Sequence, residues 1–387
     1  MPAIIFSSAG DDDKLSMALQ RVRTEDPSIG TAIDETAGTR TLSFAGPIHV
    51  DTTVERLRRK YGGKLGKTGF EVSEISLGTW QVGGKWGAEF SEKNAETILN
   101  AAMDAGINFI DTADVYGEGL SEKMVGKVVR ERSEWIHVAT KCGRRLVPHN
   151  NESYTPHALR GFVEDSLKNS GLEVIDLIQL HCPPAEVYKR PEIFELFDRL
   201  KEEGKIHHMG VSVERVDEAL QAITYENVAT VQIIFNMFRH KPAEKFFREA
   251  TRRDVGIIAR VPLASGLLTG KFSRETTFGE SDHRTFNRDG EMFDKGETFS
   301  GVDYETGLEA VERLKVLFTG RENLAPLALK WILMFPEISC VIPGASNVQQ
   351  LESNLQAGDE DPLSPEQMNG VAEIYDRYIR DQVHHLW

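Results

Sequence analysis

The chain has 387 residues, 27% of them charged and 40% apolar, with a formal net charge of -15 at neutral pH. This composition is ordinary for a globular enzyme, its acidic balance argues against nucleic-acid binding, and no apolar run is as long as a membrane span. The opening residues, MPAIIFSSAG, have neither the basic segment nor the long apolar core of a secretory signal, so a cytoplasmic location is expected. The cysteines, Cys142, Cys182 and Cys340, are odd in number and follow no metal-ligand spacing. Reduced thiols, and no metal, are expected.

The first elements are PAIIF, a strand, and DDDKLSMALQRVRTEDP, an acid-capped helix stopped at Pro27. TAIDETAGTRTLSFAG reads as a hairpin turning at Gly38, and VDTTVERLRRKYG as a second helix, with Val54, Leu57 and Tyr61 at helical spacing and Gly62 as its stop. The order β-α-β-β-α is that of a split βαβ, ferredoxin-like unit without its last strand. KLSMALQRVRTEDP followed by TLSFAGPIHVDTTVERLRRKYG resembles the third domain of translation elongation factor G. No GxxxxGK[ST] occurs in the chain, so GTPase function does not come with the resemblance. Residues 1–62 are thus expected to form a small α+β module, near-neutral in charge and a poor RNA binder, fused to a second domain over 63–387.

From Lys64 the pattern changes. KLGKTGFEVSEISLGTW reads as two short strands around a Thr-Gly turn followed by a barrel strand, and SEKNAETILNAAMDAG as a helix capped by Ser91, stopped by Gly106, with Ala95, Ile98, Leu99 and Ala102 on one face. The alternation recurs. TPHALRGFVEDSLKNSG, capped by Thr155 with Pro156 in its first turn, precedes IDLIQLH; PEIFELFDRLKEEG precedes IHHMGVS; VERVDEALQAI precedes TVQIIFN; AEKFFREATRRD precedes GIIARV; and a final pair ends in CVIPG. Such βα repetition predicts a closed α/β barrel, the (β/α)8 TIM barrel, rather than an open sheet, and no GxGxxG marks a Rossmann site. One connection is long, from Ala264 to Val302, rich in Gly, Ser, Thr and charge, and long loops in compact domains are usually functional.

Three strand ends carry chemistry. FIDTADVYG places Asp111 and Tyr116 at or beyond one strand, IHVATK delivers Lys141 and IDLIQLH delivers His181. A phenol is useful at neutral pH when a cation favours its ionised form, and a buried lysine needs a carboxylate to stay charged. With the flanks ATKCG, LIQLH and VIPGA, the chain from about Lys64 onward resembles the aldo/keto reductase family. The resemblance implies an oxidoreductase that moves a hydride between a nicotinamide and an aldehyde or ketone. Tyr116 would be the acid, Lys141 (held by Asp111) would lower its pKa, and His181 would orient the carbonyl. Trp80 and Trp86 would wall the substrate pocket.

The same resemblance assigns a cofactor site. Ser212 and Gln232 would hold the carboxamide, although Val213 stands where Asn is usual, and Arg260 takes the place of the ring-stacking aromatic, with Leu263 following it. ASGLLTGK resembles the belt over the pyrophosphate, with Ser265, Gly266, Leu268 and Lys271, while Gly344, Ser346, Gln350 and Asn354 would meet the adenosine phosphate. Ser346 or Asn347 can cap the helix there. Gln350 lies where many NADP-dependent relatives carry arginine, so NADPH is expected first and NADH as an alternative. A non-catalytic, cofactor-binding accessory subunit is the rival reading, because a relative of this fold serves potassium channels.

Overall fold

The computed structural model describes residues 3–7, 30–34, 39–43, 63–84 and 90–387, the first three segments by their backbone alone. The chain divides into two compact units, Met1–Gly62 and Gly63–Trp387. In the first, β1 (Ala3–Ser7), β2 (Gly30–Asp34) and β3 (Thr39–Ser43) form a sheet in the order β1-β3-β2, with β3 antiparallel to both neighbours. β1 and β2 therefore run parallel with β3 inserted between them, the split βαβ arrangement that the order of elements implies. The two helices expected in this module, and the turn at Gly38, lie outside the described residues.

The second unit opens with a hairpin, β4 (Gly63–Lys64) and β5 (Glu71–Val72), and continues into an eight-stranded parallel sheet. Its strands are β6 (Leu77–Gly78), β7 (Phe109–Asp111), β8 (His137–Cys142), β9 (Ile175–His181), β10 (Ile206–Ser212), β11 (Val228–Ile234), β12 (Gly256–Arg260) and β13 (Ile338–Val341), each beside the next. Parallel bridges from Ile75 to Val341 and from Gly78 to Gly344 join the first strand to the last and close the ring. The result is a (β/α)8 TIM barrel, and its strands are buried along nearly their whole length, as strands covered on both faces must be.

The helices follow their sequence signals. Helix α1 (Glu92–Asp104) is capped by the Ser91 hydroxyl, which accepts from Asn94 N–H, and buries Ala95, Ile98, Leu99, Ala102 and Met103. Helix α2 spans Leu120–Glu131, and α3 (Pro156–Ser170) starts at the Thr155 cap and ends at Gly171 in the left-handed region. Then come α4 (Pro191–Glu202), α5 (Val216–Ala222), α6 (Phe246–Arg252), α7 (Tyr304–Leu317), α8 (Ala325–Leu333) and α9 (Val348–Leu355).

Inside the barrel the period-two alternation of strands sorts chemistry by height. Leu65 and Val72 of the hairpin pack with Phe109, Ala139, Leu177, Ile258 and Cys340 as an apolar plug. Gly66 permits this: a Cβ there would lie 2.1 Å from Gly256 N, and Lys67 N–H donates to Asp254 O at 2.6 Å. Two residues further along the same strands, on the same inward face, stand Asp111, Lys141, Gln179 and Arg260. The floor is therefore hydrophobic and the C-terminal rim polar.

Candidate active site

The polar layer is built around Asp111. Lys141 Nζ donates to Asp111 Oδ2 at 2.5 Å and to Thr112 O at 2.8 Å, and the two side chains are 1% and 2% exposed. The other carboxylate oxygen, Oδ1, accepts from Gln232 Nε2 at 2.8 Å and from Gln179 Nε2 at 3.1 Å. A buried carboxylate with a cation and two amides is fully satisfied. Gln179, two residues before His181 on β9, is a member of this layer that the motif reading misses. Gln232 lies on β11, and its amide nitrogen, expected at the cofactor, donates to Asp111.

Tyr116 reaches the layer from the loop after β7. Its hydroxyl lies 3.3 Å from Lys141 Nζ, and the ammonium stands 4.9 Å from the ring centroid. The loop is pinned by close backbone packing: Gly117 has φ 59° and a Cβ there would lie 2.0 Å from Gly83 O, so only glycine fits. Burial pushes the Tyr116 pKa above its ordinary value, and Lys141 pulls it down without overcoming that burial. The expected lowering by lysine is thus present as a contribution, while the net direction is upward and leaves the phenol protonated at neutral pH. Burial is the largest single influence on Lys141 and disfavours its charged form, but Asp111 and Tyr116 together outweigh it and the net shift is upward.

His181 completes the group, its ring edge-on to Tyr116 with centroids 6.2 Å apart. Burial, then the charges of Arg144, Lys141 and Arg260, hold its pKa well below the ordinary value, so the imidazole is neutral. Its Nδ1 is buried with no hydrogen-bond partner. Asp111, Tyr116, Lys141 and His181 therefore meet in one place.

Arg260 does not lie free. Its Nη2 donates to Val213 O at 3.0 Å and contacts Cys182 Sγ at 3.7 Å, and its Nη1 stands 3.5 Å from Glu297 Oε1. Arg144 Nη1 donates to the same Glu297 oxygen at 2.9 Å. Glu297 comes from the long connection after β12, which folds as short single turns rather than an open loop. Trp387 fixes that stretch: its indole N–H donates to Asp294 at 3.0 Å, and the Arg239 guanidinium lies 3.5 Å above its ring. Cys182, Glu214 and Glu297 offer ligand atoms within 4.8 Å of one another, but two guanidiniums already share this space.

A cavity of about 780 Å³ runs from Tyr116, Trp80 and Asp111 to Gln350 and Asn354, passing Gln232, Arg260, Leu263, Ser265, Gly266, Lys271, Gly344 and Ser346. Its size is that of a ligand site. A nicotinamide dinucleotide fits the walls: a Cβ on Gly344 would fill the passage at 2.0 Å from Gln81 Oε1, and Asn347, Gln349 and Gln350 bring the first turn of α9 to the far end. Several expected contacts differ in detail. Leu268 is fully buried in the main core and forms no wall, and Ser212 lies behind the surface with its hydroxyl accepting from Cys182. The Ser265 hydroxyl ties the belt to itself, donating to Glu297 O at 3.0 Å and accepting from Phe299 N–H at 3.1 Å. Gln350 Oε1 accepts from Ser346 N–H at 2.8 Å while Asn347 caps the helix, so the glutamine side chain is folded back. Trp86 lies outside the described residues.

The family model described as "Aldo/keto reductase family" matches residues 74–376, and that described as "Elongation Factor G, domain III" matches residues 2–66. Aldo-keto reductase YhdN of Bacillus subtilis (strain 168) is 34% identical over 334 residues, covering 82% of this chain and 95% of that protein. A probable voltage-gated potassium channel subunit beta of Arabidopsis thaliana is 29% identical over 315 residues, 77% of this chain and 91% of that one. Among solved structures, the holo form of aldo-keto reductase AKR11C1 from Bacillus halodurans superposes with a TM-score of 0.65 at 25% identity, covering 81% of this chain and 95% of that chain.

Proposed function

The chain belongs to the aldo/keto reductase family, and from that membership we propose that it is an NAD(P)(H)-dependent oxidoreductase that reduces an aldehyde or ketone to its alcohol, with Tyr116 as the acid. The observation that carries this reading is the Tyr116 hydroxyl held 3.3 Å from a buried Lys141 ammonium that Asp111 clamps. When bound, the nicotinamide supplies the hydride, and Gln232, Ser265, Gly266, Lys271, Gly344, Ser346, Gln350 and Asn354 are the side of the cavity that would hold it, while Arg260, tied to Glu297 and Val213 O, is not free to stack on its ring. Tyr116 keeps its proton at neutral pH and gives it up to a developing alkoxide. Lys141 lowers the cost of the phenolate left behind. A neutral His181 is suited to hydrogen-bond the carbonyl oxygen without competing for the proton.

A second reading, a cofactor-binding accessory subunit, is favoured by the channel-subunit relative. It predicts nicotinamide binding without turnover. Steady-state consumption of NADPH and NADH against an aldehyde and ketone panel separates the two: turnover with at least one carbonyl compound is expected, and binding without consumption across the panel would favour the accessory role.

Cofactor choice rests on Gln350. A neutral amide, folded back onto Ser346 N–H, offers no charge to a 2′-phosphate, so a modest NADPH preference or dual use is expected. Gln350→Arg should tighten NADPH by roughly ten-fold or more, from the ~1.5–3 kcal/mol of a charge-assisted bond, and leave NADH unchanged. Fluorescence titration of both cofactors measures this, and strong NADPH selectivity unmoved by the substitution would place recognition elsewhere.

The module over residues 1–62 contributes none of the site residues named above. A chain starting at Tyr61 is expected to fold and retain most reductase activity. Circular dichroism and the same assay check it, and an insoluble or inactive product would make the two units one cooperative body.

A further inference from the structure

Resting on the reductase reading above, we propose that the guanidiniums of Arg144 and Arg260 form an anion subsite beside Tyr116 and His181, so that the preferred substrate is an aldehyde or ketone bearing a carboxylate.

Charge balance comes first. Arg144 and Arg260 both approach Glu297, and they approach the same oxygen, at 2.9 and 3.5 Å. One carboxylate therefore serves two cations, Arg260 buried and Arg144 half-buried. The neighbouring carboxyl of Glu214 does not supply the second anion: burial, with Asp294 and Glu297, raises it to about 8, which leaves it uncharged at neutral pH. Asp294 is engaged by the Trp387 indole and by Gly296 N–H. The Cys182 thiol, 3.7 Å from Arg260, is pushed by burial to about 12 and stays neutral. One positive charge is left over, and an unbalanced charge partly removed from water is unfavourable.

Unpartnered polar atoms come second. Arg260 is 7% exposed and its Nε has no hydrogen-bond partner. His181, 6% exposed, likewise leaves Nδ1 unpartnered. Arg260, Glu297 and Tyr116 line one cavity, so a carbonyl compound placed against Tyr116 has the guanidinium within the same walls. A planar carboxylate is the anion that a guanidinium fork matches in shape. Glu297 is itself such a carboxylate, carried by the belt and seated on the same two cations. It acts as an internal competitor, and removing its charge should improve the site for an external anion.

The test uses the full chain with NADPH and NADH and two probes of near-equal size, 4-oxobutanoate and its methyl ester. The expected kcat/KM for the acid exceeds that for the ester by roughly ten- to hundred-fold, the range of one or more charge-assisted bonds. Arg144→Gln should bring the ratio toward one, and Glu297→Gln should raise it, an opposite sign that general damage to the fold does not produce. Equal rates for acid and ester in the wild type, which need no variant to be read, overturn the subsite while leaving the reductase reading intact. If neither probe is reduced with either cofactor, thermal denaturation with added succinate decides. A rise in Tm that succinamide does not give and that Arg144→Gln abolishes supports the subsite, and no rise rejects it.

Discussion

Tyr116→Phe is expected to lower kcat by about 10²- to 10⁴-fold, the contribution of a positioned general acid, and to leave cofactor affinity nearly unchanged. The substitution removes only the hydroxyl that stands 3.3 Å from Lys141 and keeps the ring that meets His181 edge-on. Steady-state kinetics and a cofactor titration on the same preparation separate the two effects. Comparable turnover in wild type and variant would mean that another group donates the proton.

Lys141→Met is expected to act twice. It strips the cation from Asp111, whose carboxylate is 2% exposed and would keep only the amides of Gln179 and Gln232. Breaking a buried pair from one side costs about 3–5 kcal/mol, so a clear fall in Tm is expected. The Lys141 pKa is raised on folding, so its stabilisation is present in full below the ordinary lysine value of 10.5 and is lost only as pH rises through the folded pKa. The catalytic effect follows from the sign of its influence on Tyr116. Lys141 pulls that pKa down, so its removal should cut activity and move the alkaline limb of the pH–rate profile upward. Full activity with an unshifted limb would contradict the role.

The strand ends that carry Asp111, Lys141 and His181 were legible because a parallel barrel exposes one kind of place, the C-terminal rim, and the short apolar runs show where each strand stops. Caps at Ser91 and Thr155 were equally plain, since a hydroxyl before an apolar helical period has one common use. Long-range pairings were not. Gln179 reads as one more residue of a buried strand until the register sets it opposite Lys141. Glu297 comes from a stretch without periodicity, and its meeting with Arg144 spans 153 residues. Leu268 and Gln350 followed the family pattern in position but not in use, one turned into the core and the other closing its own helix. Local signals cannot say which way such a side chain turns. Asp114 gave no signal either, yet it is fully buried with both carboxylate oxygens unpartnered, and burial raises it to about 7.

The central claim, hydride transfer to a carbonyl carbon with Tyr116 as proton donor, is tested most directly by following the transferred atom. Nicotinamide cofactor deuterated at its reducing carbon, NADPH or NADH, is incubated with the enzyme and an aldehyde that it consumes, and the alcohol is read by mass spectrometry and NMR. The account predicts a single deuterium on the carbinol carbon in the wild type and essentially no labelled alcohol with Tyr116→Phe. Cofactor bound and retained without label reaching any carbonyl compound, or labelled product formed as fast without the phenol, would contradict it.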